Sequence, residues 1–201
     1  MEPVMHVISN GKQELGQWLD TCRRIDPWTA VFHLREKQRT VSVIETWINA
    51  YLEAGLPLGK LRLNDRVETA YQTGVRQVQL PQNGLSVSTV KRRFPEMHAA
   101  VSVHSLEEAK RAEAAGADEL MFGHVFMSSS KPGIVNRGVH QLADIVERVA
   151  VPVTALGGIT PHNVFELRKA GAAAPAVMSG LMEAADPEKT AQDYCERWEN
   201  G

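Results

Sequence analysis

A single (β/α)8 barrel is the fold class this sequence predicts, and three observations carry the prediction. Short apolar, β-branched runs recur along the chain, the stretches between them begin with helix-capping residues, and glycines close those stretches. The runs are 4–8, 30–34, 60–63, 76–80, 99–101, 119–122, 151–155 and 174–178, which makes eight candidate strands.

The clearest helix start is Ser105-Leu106-Glu107-Glu108, a capping box whose helix would end at Gly116. Thr160-Pro161 and Asp186-Pro187 each set a capping side chain before a proline suited to the first helical position. Gly55, Gly74 and Gly171 stand where further helices would close. An internal echo supports repetition, since Ala115-Gly116-Ala117-Asp118 and Ala170-Gly171-Ala172-Ala173 both lead from a helix end into an apolar run. Regular β-then-helix alternation requires parallel strands, in a closed barrel or a doubly wound open sheet. No Gly-x-Gly-x-x-Gly follows the first run, so a dinucleotide-binding sheet has no support. Composition does not shift along the chain, and residues 1–201 read as one domain.

A chain of 201 residues buries roughly 70% of its unfolded surface, enough for a core without disulfides or metal. Its 22 basic and 24 acidic side chains nearly cancel, and Lys91-Arg92-Arg93 is only a short basic run, so no nucleic-acid partner is expected. No apolar stretch approaches a membrane span, and Met1 to Asn10 lacks a basic leader, so a cytoplasmic protein without a membrane partner is expected. Cys22 and Cys195 lack metal-type spacing and read as free thiols. His6, His98, His140 and His162 show no ligand spacing either, so no metal is expected.

Side chains alternate along a strand, which sorts the polar residues. In the second run Phe32 and Leu34 face helices while His33, Arg35 and Lys37 share the other side. In the third, Leu61 and Leu63 oppose Arg62 and Asn64; in the fourth, Val78 and Leu80 oppose Gln77 and Gln79. Barrel interiors are normally filled by branched apolar residues, so this polar inner face points to an anionic ligand at the carboxyl ends of the strands. Solvent exposure, or pairing with Glu36 and Asp65, is the plainer reading of the same residues.

Two glycine-bearing turns fall after the last two runs, Gly157-Gly158-Ile159 and Ser179-Gly180. Alone, each is a tight turn; on adjacent strands they make a phosphate site, because glycine lets backbone N–H groups approach an anion. After the sixth run comes Phe122-Gly123-His124-Val125-Phe126, then a hydroxyl-rich stretch ending Ser130-Lys131-Pro132-Gly133. A histidine there can exchange a proton at neutral pH. A histidine among apolar neighbours is also commonly a structural residue bonded to a carbonyl, and the residues alone leave both roles open.

Taken in order, these segments resemble the thiamine phosphate synthase superfamily over nearly the whole chain. The resemblance rests on Leu34-Arg35-Glu36-Lys37, Leu63-Asn64-Asp65-Arg66, Val101-Ser102-Val103-His104-Ser105, the Phe-Gly loop, Gly157-Gly158-Ile159 and Val177-Met178-Ser179-Gly180. It implies a (β/α)8 barrel that handles the thiazole and pyrimidine halves of thiamine and holds the thiazole phosphate at its glycine turns. Synthases of this group carry magnesium pyrophosphate on two carboxylates. Asp65 matches one; the other is missing, because residues 80–84 read Leu-Pro-Gln-Asn-Gly and no acid occurs between Glu68 and Glu96. His33 replaces a synthase glutamine, and His124 stands where synthases typically have proline.

Those departures resemble the TenI-type thiazole tautomerases, which convert an exocyclic-ylidene carboxythiazole phosphate into its aromatic tautomer. The resemblance implies His124 as the acid/base, with Arg35 and Lys37 on the carboxylate and Asn64, Ser102 and Lys131 as further substrate contacts. Gly157, Gly158, Ser179 and Gly180 would hold phosphate, and no cofactor is expected. Thiamine phosphate synthase, favoured by Asp65 and Lys131, is the alternative enzyme. A regulatory thiazole phosphate-binding protein without turnover is the third reading. Oligomeric state is left open.

Overall fold

The computed structural model, which describes residues 2–128, 133 and 135–201, is a closed barrel of eight parallel strands in chain order. The strands are Met5–Ile8 (β1), Thr29–Leu34 (β2), Leu61–Asn64 (β3), Gln77–Leu80 (β4), His98–Val103 (β5), Glu119–Gly123 (β6), Val153–Leu156 (β7) and Ala174–Val177 (β8). Between them run Leu15–Ile25 (α1), Val41–Glu53 (α2), Val67–Gln72 (α3), Val87–Arg93 (α4), Leu106–Ala114 (α5), Gly138–Arg148 (α6) and Val164–Lys169 (α7). Ser179–Met182 (α8) and Pro187–Asn200 (α9) follow the last strand. His6 pairs with Ala176 and Val7 with Val177, which closes the sheet. No helix among the described residues is long and apolar enough to cross a membrane.

Ser105 and Asp186 cap their helices as the sequence predicts, and one expected helix start fails. The box at Ser105 does not close, since Glu108 Oε2 takes the His104 N–H at 2.7 Å and not that of Ser105. Ser105 Oγ accepts the Glu108 N–H at 3.2 Å, and Asp186 accepts the Lys189 N–H at 3.3 Å ahead of Pro187. Gly55, Gly74, Gly116 and Gly171 take φ of +79°, +82°, +95° and +83°, the left-handed helix ends that glycine allows without strain. The failed start is Thr160-Pro161, which opens a turn instead of a helix. Asn163 Oδ1 takes the Thr160 N–H at 2.8 Å and its Nδ2 donates to Gly158 O at 3.0 Å, so α7 begins only at Val164.

Alternation sorts the strand residues into two cores. Phe32, Leu34, Leu61, Leu63, Val78 and Leu80 are buried outside the barrel against the helices, where Trp18 stacks on Trp47 with ring centroids 5.3 Å apart. Each such side chain contributes about 1.5–3 kcal/mol of transfer free energy.

Inside, the amino-terminal half of the barrel holds a polar plug. Arg62 Nη2 and Glu119 Oε2 pair at 2.7 Å, Thr154 Oγ1 donates to Glu119 Oε1 at 2.8 Å, and Arg62 Nη2 donates to Gln77 Oε1 at 3.0 Å. His33 Nε2 lies 3.3 Å from His6 Nδ1. Burial pushes His6 down to about 4 despite the Glu119 charge, and burial with the neighbouring Arg62 charge lowers His33 and His98 as well. Burial alone would raise the Glu119 carboxyl, but the Arg62 hydrogen bond and the adjacent charges carry it below its ordinary range. Arg62 therefore pairs with Glu119, and neither Glu36 nor Asp65 is its partner.

Candidate active site

Above the plug, at the carboxyl ends of the strands, lies a cavity of about 510 Å³. Arg35, Asn64, Ser102, His124, Gly157, Gly158, Ser179 and Gly180 all line it, so the structure brings these eight sequence-selected residues together. Lys37 is a correction: it lines an adjoining cleft of about 420 Å³ with Asn10, Gly11 and residues 35–39, and only Arg35 belongs to both spaces. The cause is that β2 ends at Leu34, so strand parity no longer governs the direction of residue 37. Lys131 lies outside the described residues.

The cavity has an apolar wall and a polar floor. Ile8, Met121 and Ala176 form the wall, with Leu156 and Met178 packed against them. On the floor Asn64 is paired in register with Gln79, whose Nε2 donates to Ser102 Oγ at 3.0 Å. Gln79 Oε1 is shielded from solvent and has no hydrogen-bond partner among the described residues, so an amide oxygen at the cavity is available to a polar ligand atom. Parity puts Gln79 on the inner face, and its pairing with Asn64 marks it as a site residue that no motif indicates.

His124 sits at the lip, just beyond β6, with only 3% of its surface exposed. Its φ is +69°, a left-handed conformation uncommon for a residue with a side chain, and among the described residues Asp65 is the other non-glycine residue so placed, at +57°. The surrounding backbone over-determines it. Val125 N–H donates to Leu156 O at 3.1 Å, Phe126 N–H to Gly157 O at 2.9 Å and Arg137 N–H to His124 O at 2.9 Å. His104 also lines the cavity, and its ring packs on Gly123, whose added Cβ would meet His104 Cε1 at 3.3 Å.

The two glycine turns adjoin. A Cβ on Gly158 would lie 2.2 Å from Met127 O, so this glycine, at φ +65°, is required by the loop after β6 pressing against it. The N–H groups of Gly158 and Ile159 have no protein acceptor among the described residues. Ile159 O accepts from Tyr194 Oη of α9 at 2.8 Å, and the Tyr194 hydroxyl oxygen lies 2.8 Å from where a Gly180 Cβ would be. Tyr194 thus fixes the spacing of both turns, a role reached through backbone atoms that no sequence motif advertises.

The resemblance to the synthases implies magnesium at Asp65, and the donor set does not fit it. Asp65 Oδ1 lies 2.8 Å from the Cβ position of Gly84, and the facing segment Pro81-Gln82-Asn83-Gly84 supplies no carboxylate. A magnesium pyrophosphate complex needs several hard oxygen ligands, and one carboxylate with amide neighbours is a weak set.

The family profile described as thiamine monophosphate synthase matches residues 4–181. A thiamine-phosphate synthase of Caldivirga maquilingensis is 34% identical over 137 residues, covering 68% of this chain and 67% of that protein. The chain spans about two thirds of the length of the first curated relatives it matches. A thiamine-phosphate synthase of Pyrococcus horikoshii is 30% identical over 195 residues, covering 91% of this chain and 94% of that protein. The solved thiamine phosphate pyrophosphorylase of Pyrococcus furiosus superposes with a TM-score of 0.83 at 28% identity, over 98% of this chain and 96% of that one.

Proposed function

This chain belongs to the thiamine monophosphate synthase family, and from that membership we propose that it is a thiazole tautomerase, an isomerase of thiamine biosynthesis. Its substrate is the exocyclic-ylidene carboxythiazole phosphate, and its product is the aromatic 2-(2-carboxy-4-methylthiazol-5-yl)ethyl phosphate. The observation that carries this reading is His124, a buried histidine held in a left-handed conformation at the lip of a cavity that fits a small ring.

The reaction moves one proton. The C–H bond at the ring carbon bearing the carboxylate breaks, its electron pair shifts through the ring toward the exocyclic double bond, and a new C–H bond forms at the side-chain carbon. Atoms and charge balance with no cofactor, and aromaticity drives the change. His124 takes the first proton and returns one to the side chain. The N–H groups of Gly158 and Ile159, with the Ser179-Gly180 turn, hold the phosphate; Arg35 holds the carboxylate; Asn64, Gln79 and Ser102 orient the ring from the floor.

Thiamine phosphate synthesis is the second reading, and the names of the relatives together with Asp65 favour it. Against it stand the missing second carboxylate and His124. One experiment separates the two: incubation with the ylidene substrate, and separately with pyrimidine pyrophosphate, thiazole phosphate and magnesium. Tautomerisation above the uncatalysed background supports the proposal, and robust magnesium-dependent coupling without it gives the site to the synthase. Gly84→Asp would bring an acid beside Asp65; φ there is not left-handed, so the obstacles are Asp65 Oδ1 at 2.8 Å and the Pro81 ring at 2.9 Å from the new Cβ.

A further inference from the structure

The mechanism above uses His124 and the cavity, but leaves unexplained a cation aimed at the backbone on which both cavity histidines are mounted. Arg137, at the start of α6, donates through Nε to His104 O at 2.8 Å and through Nη1 to Gly123 O at 3.3 Å. Its own backbone N–H donates to His124 O at 2.9 Å. One residue therefore ties the carbonyl beyond the end of β5 to two consecutive carbonyls at the end of β6.

We infer that Arg137 is a positioning residue for the proton transfer: it sets the distance and angle between the strand ends that carry His104 and His124. Three features support this role. The guanidinium is planar and fork-shaped, so two of its nitrogens reach two carbonyls in a fixed relation, which a lysine ammonium on a flexible stem does not reproduce. Hydrogen bonds from a charged donor contribute more than neutral ones. Finally, His124 occupies a backbone conformation that costs free energy, and such a conformation persists only where its surroundings hold it. Gly157 closes on His124 from the β7 side, and the backbone N–H of Arg137 holds its carbonyl. Acid–base transfer is steeply sensitive to such placement, because an error near 1 Å costs about a hundredfold.

The inference rests on the tautomerase reading, and the experiment separates the two. Steady-state tautomerisation is measured for the unmodified protein, Arg137→Ala, Arg137→Lys, His124→Asn and the double variant, together with affinity for the carboxythiazole phosphate product and the His124 ring resonances by NMR. Expected for Arg137→Ala is a ten- to hundredfold fall in kcat, with KM and product affinity within about threefold and a displaced His124 resonance. Arg137→Lys should recover part of the loss. The double variant should be no slower than His124→Asn alone, since a residue that acts through His124 has nothing left to position. Unchanged kcat in Arg137→Ala, or losses that multiply in the double variant, overturns the inference. If the unmodified protein does not exceed the uncatalysed rate, the tautomerase reading fails by itself. The NMR arm then decides the clasp: a displaced His124 resonance in Arg137→Ala sustains it, and an unmoved one ends it.

Discussion

A Cβ placed on Gly157 would lie 2.7 Å from the Cα of His124 and 2.8 Å from its backbone nitrogen. The seventh strand end thus touches the sixth through a glycine α-carbon, and His124 keeps its conformation because nothing larger stands there. The contact gives Gly157 a role in holding His124.

Gly157→Ala should accordingly damage the proton-transfer residue before it damages phosphate binding. Gly157 has φ +110°, which an L side chain rarely adopts, so strain of about 1–3 kcal/mol adds to the clash. The expected outcome is a Tm several degrees lower and a kcat at least tenfold lower. Differential scanning calorimetry and steady-state kinetics check it, and an alanine variant with normal Tm and kcat would show that the contact relaxes at no cost.

Phosphate binding needs a gentler probe than Gly158, because any side chain there meets Met127 O and reshapes the loop. Tyr194→Phe removes only the hydroxyl that donates to Ile159 O. A single hydrogen bond contributes about 0.5–1.5 kcal/mol, so KM for the phosphorylated substrate should rise roughly two- to tenfold with kcat nearly constant. The dephosphorylated alcohol should show no such change. Equal effects on both compounds would mean that Tyr194 supports the fold in general and not the phosphate turn.

The polar plug predicts how stability depends on pH. His6 has an ordinary value of 6.5 and sits at about 4 when folded, so as pH falls the unfolded chain takes up the proton first. Stability is then level above about pH 7 and declines as pH drops from 6.5 toward 4, by about 3 kcal/mol from this one group. His33 and His98 are lowered by the same burial and act in the same direction; Glu119, held below its ordinary range, adds a loss at still lower pH. Urea midpoints should fall clearly between pH 7 and pH 5, and His6→Gln should flatten the slope. Midpoints that coincide at the two pH values would contradict the buried, neutral state of these histidines.

How much of this was legible in the sequence depends on what each residue acts through. The strands, the helix-closing glycines and the inward parity of Arg62, Asn64, Gln77 and Gln79 follow from local periodicity, and the structure agrees. Parity gives the face of a strand but not the depth along the barrel axis. Asn64 and Gln79 therefore line the cavity while Arg62 and Gln77 belong to the plug, and the Arg62–Glu119 pair joins β3 to β6 across the interior. Glu119 at the head of an apolar strand was a signal, since a buried carboxylate requires a partner. Lys37 was misplaced because it lies past the strand that gave it a direction. Arg137 and Tyr194 act on backbone oxygens of distant loops, and no sequence spacing encodes such contacts.

His124→Asn bears most directly on the proposed chemistry. Asparagine keeps polarity and approximate size, and among residues with side chains it tolerates the left-handed conformation that φ +69° demands better than most, so the fold should survive. It has no group that exchanges a proton near neutral pH. General acid–base groups contribute about 10²- to 10⁴-fold, and kcat should fall within that range after the uncatalysed rate is subtracted, with KM nearly unchanged. Arg35→Ala supplies the contrast: its contact with the carboxylate is made in the ground state and the transition state alike, so it should raise KM more than it lowers kcat. Near-normal kcat in His124→Asn would return His124 to a structural role, and His104, on the adjoining strand end of the same cavity, would become the residue to test.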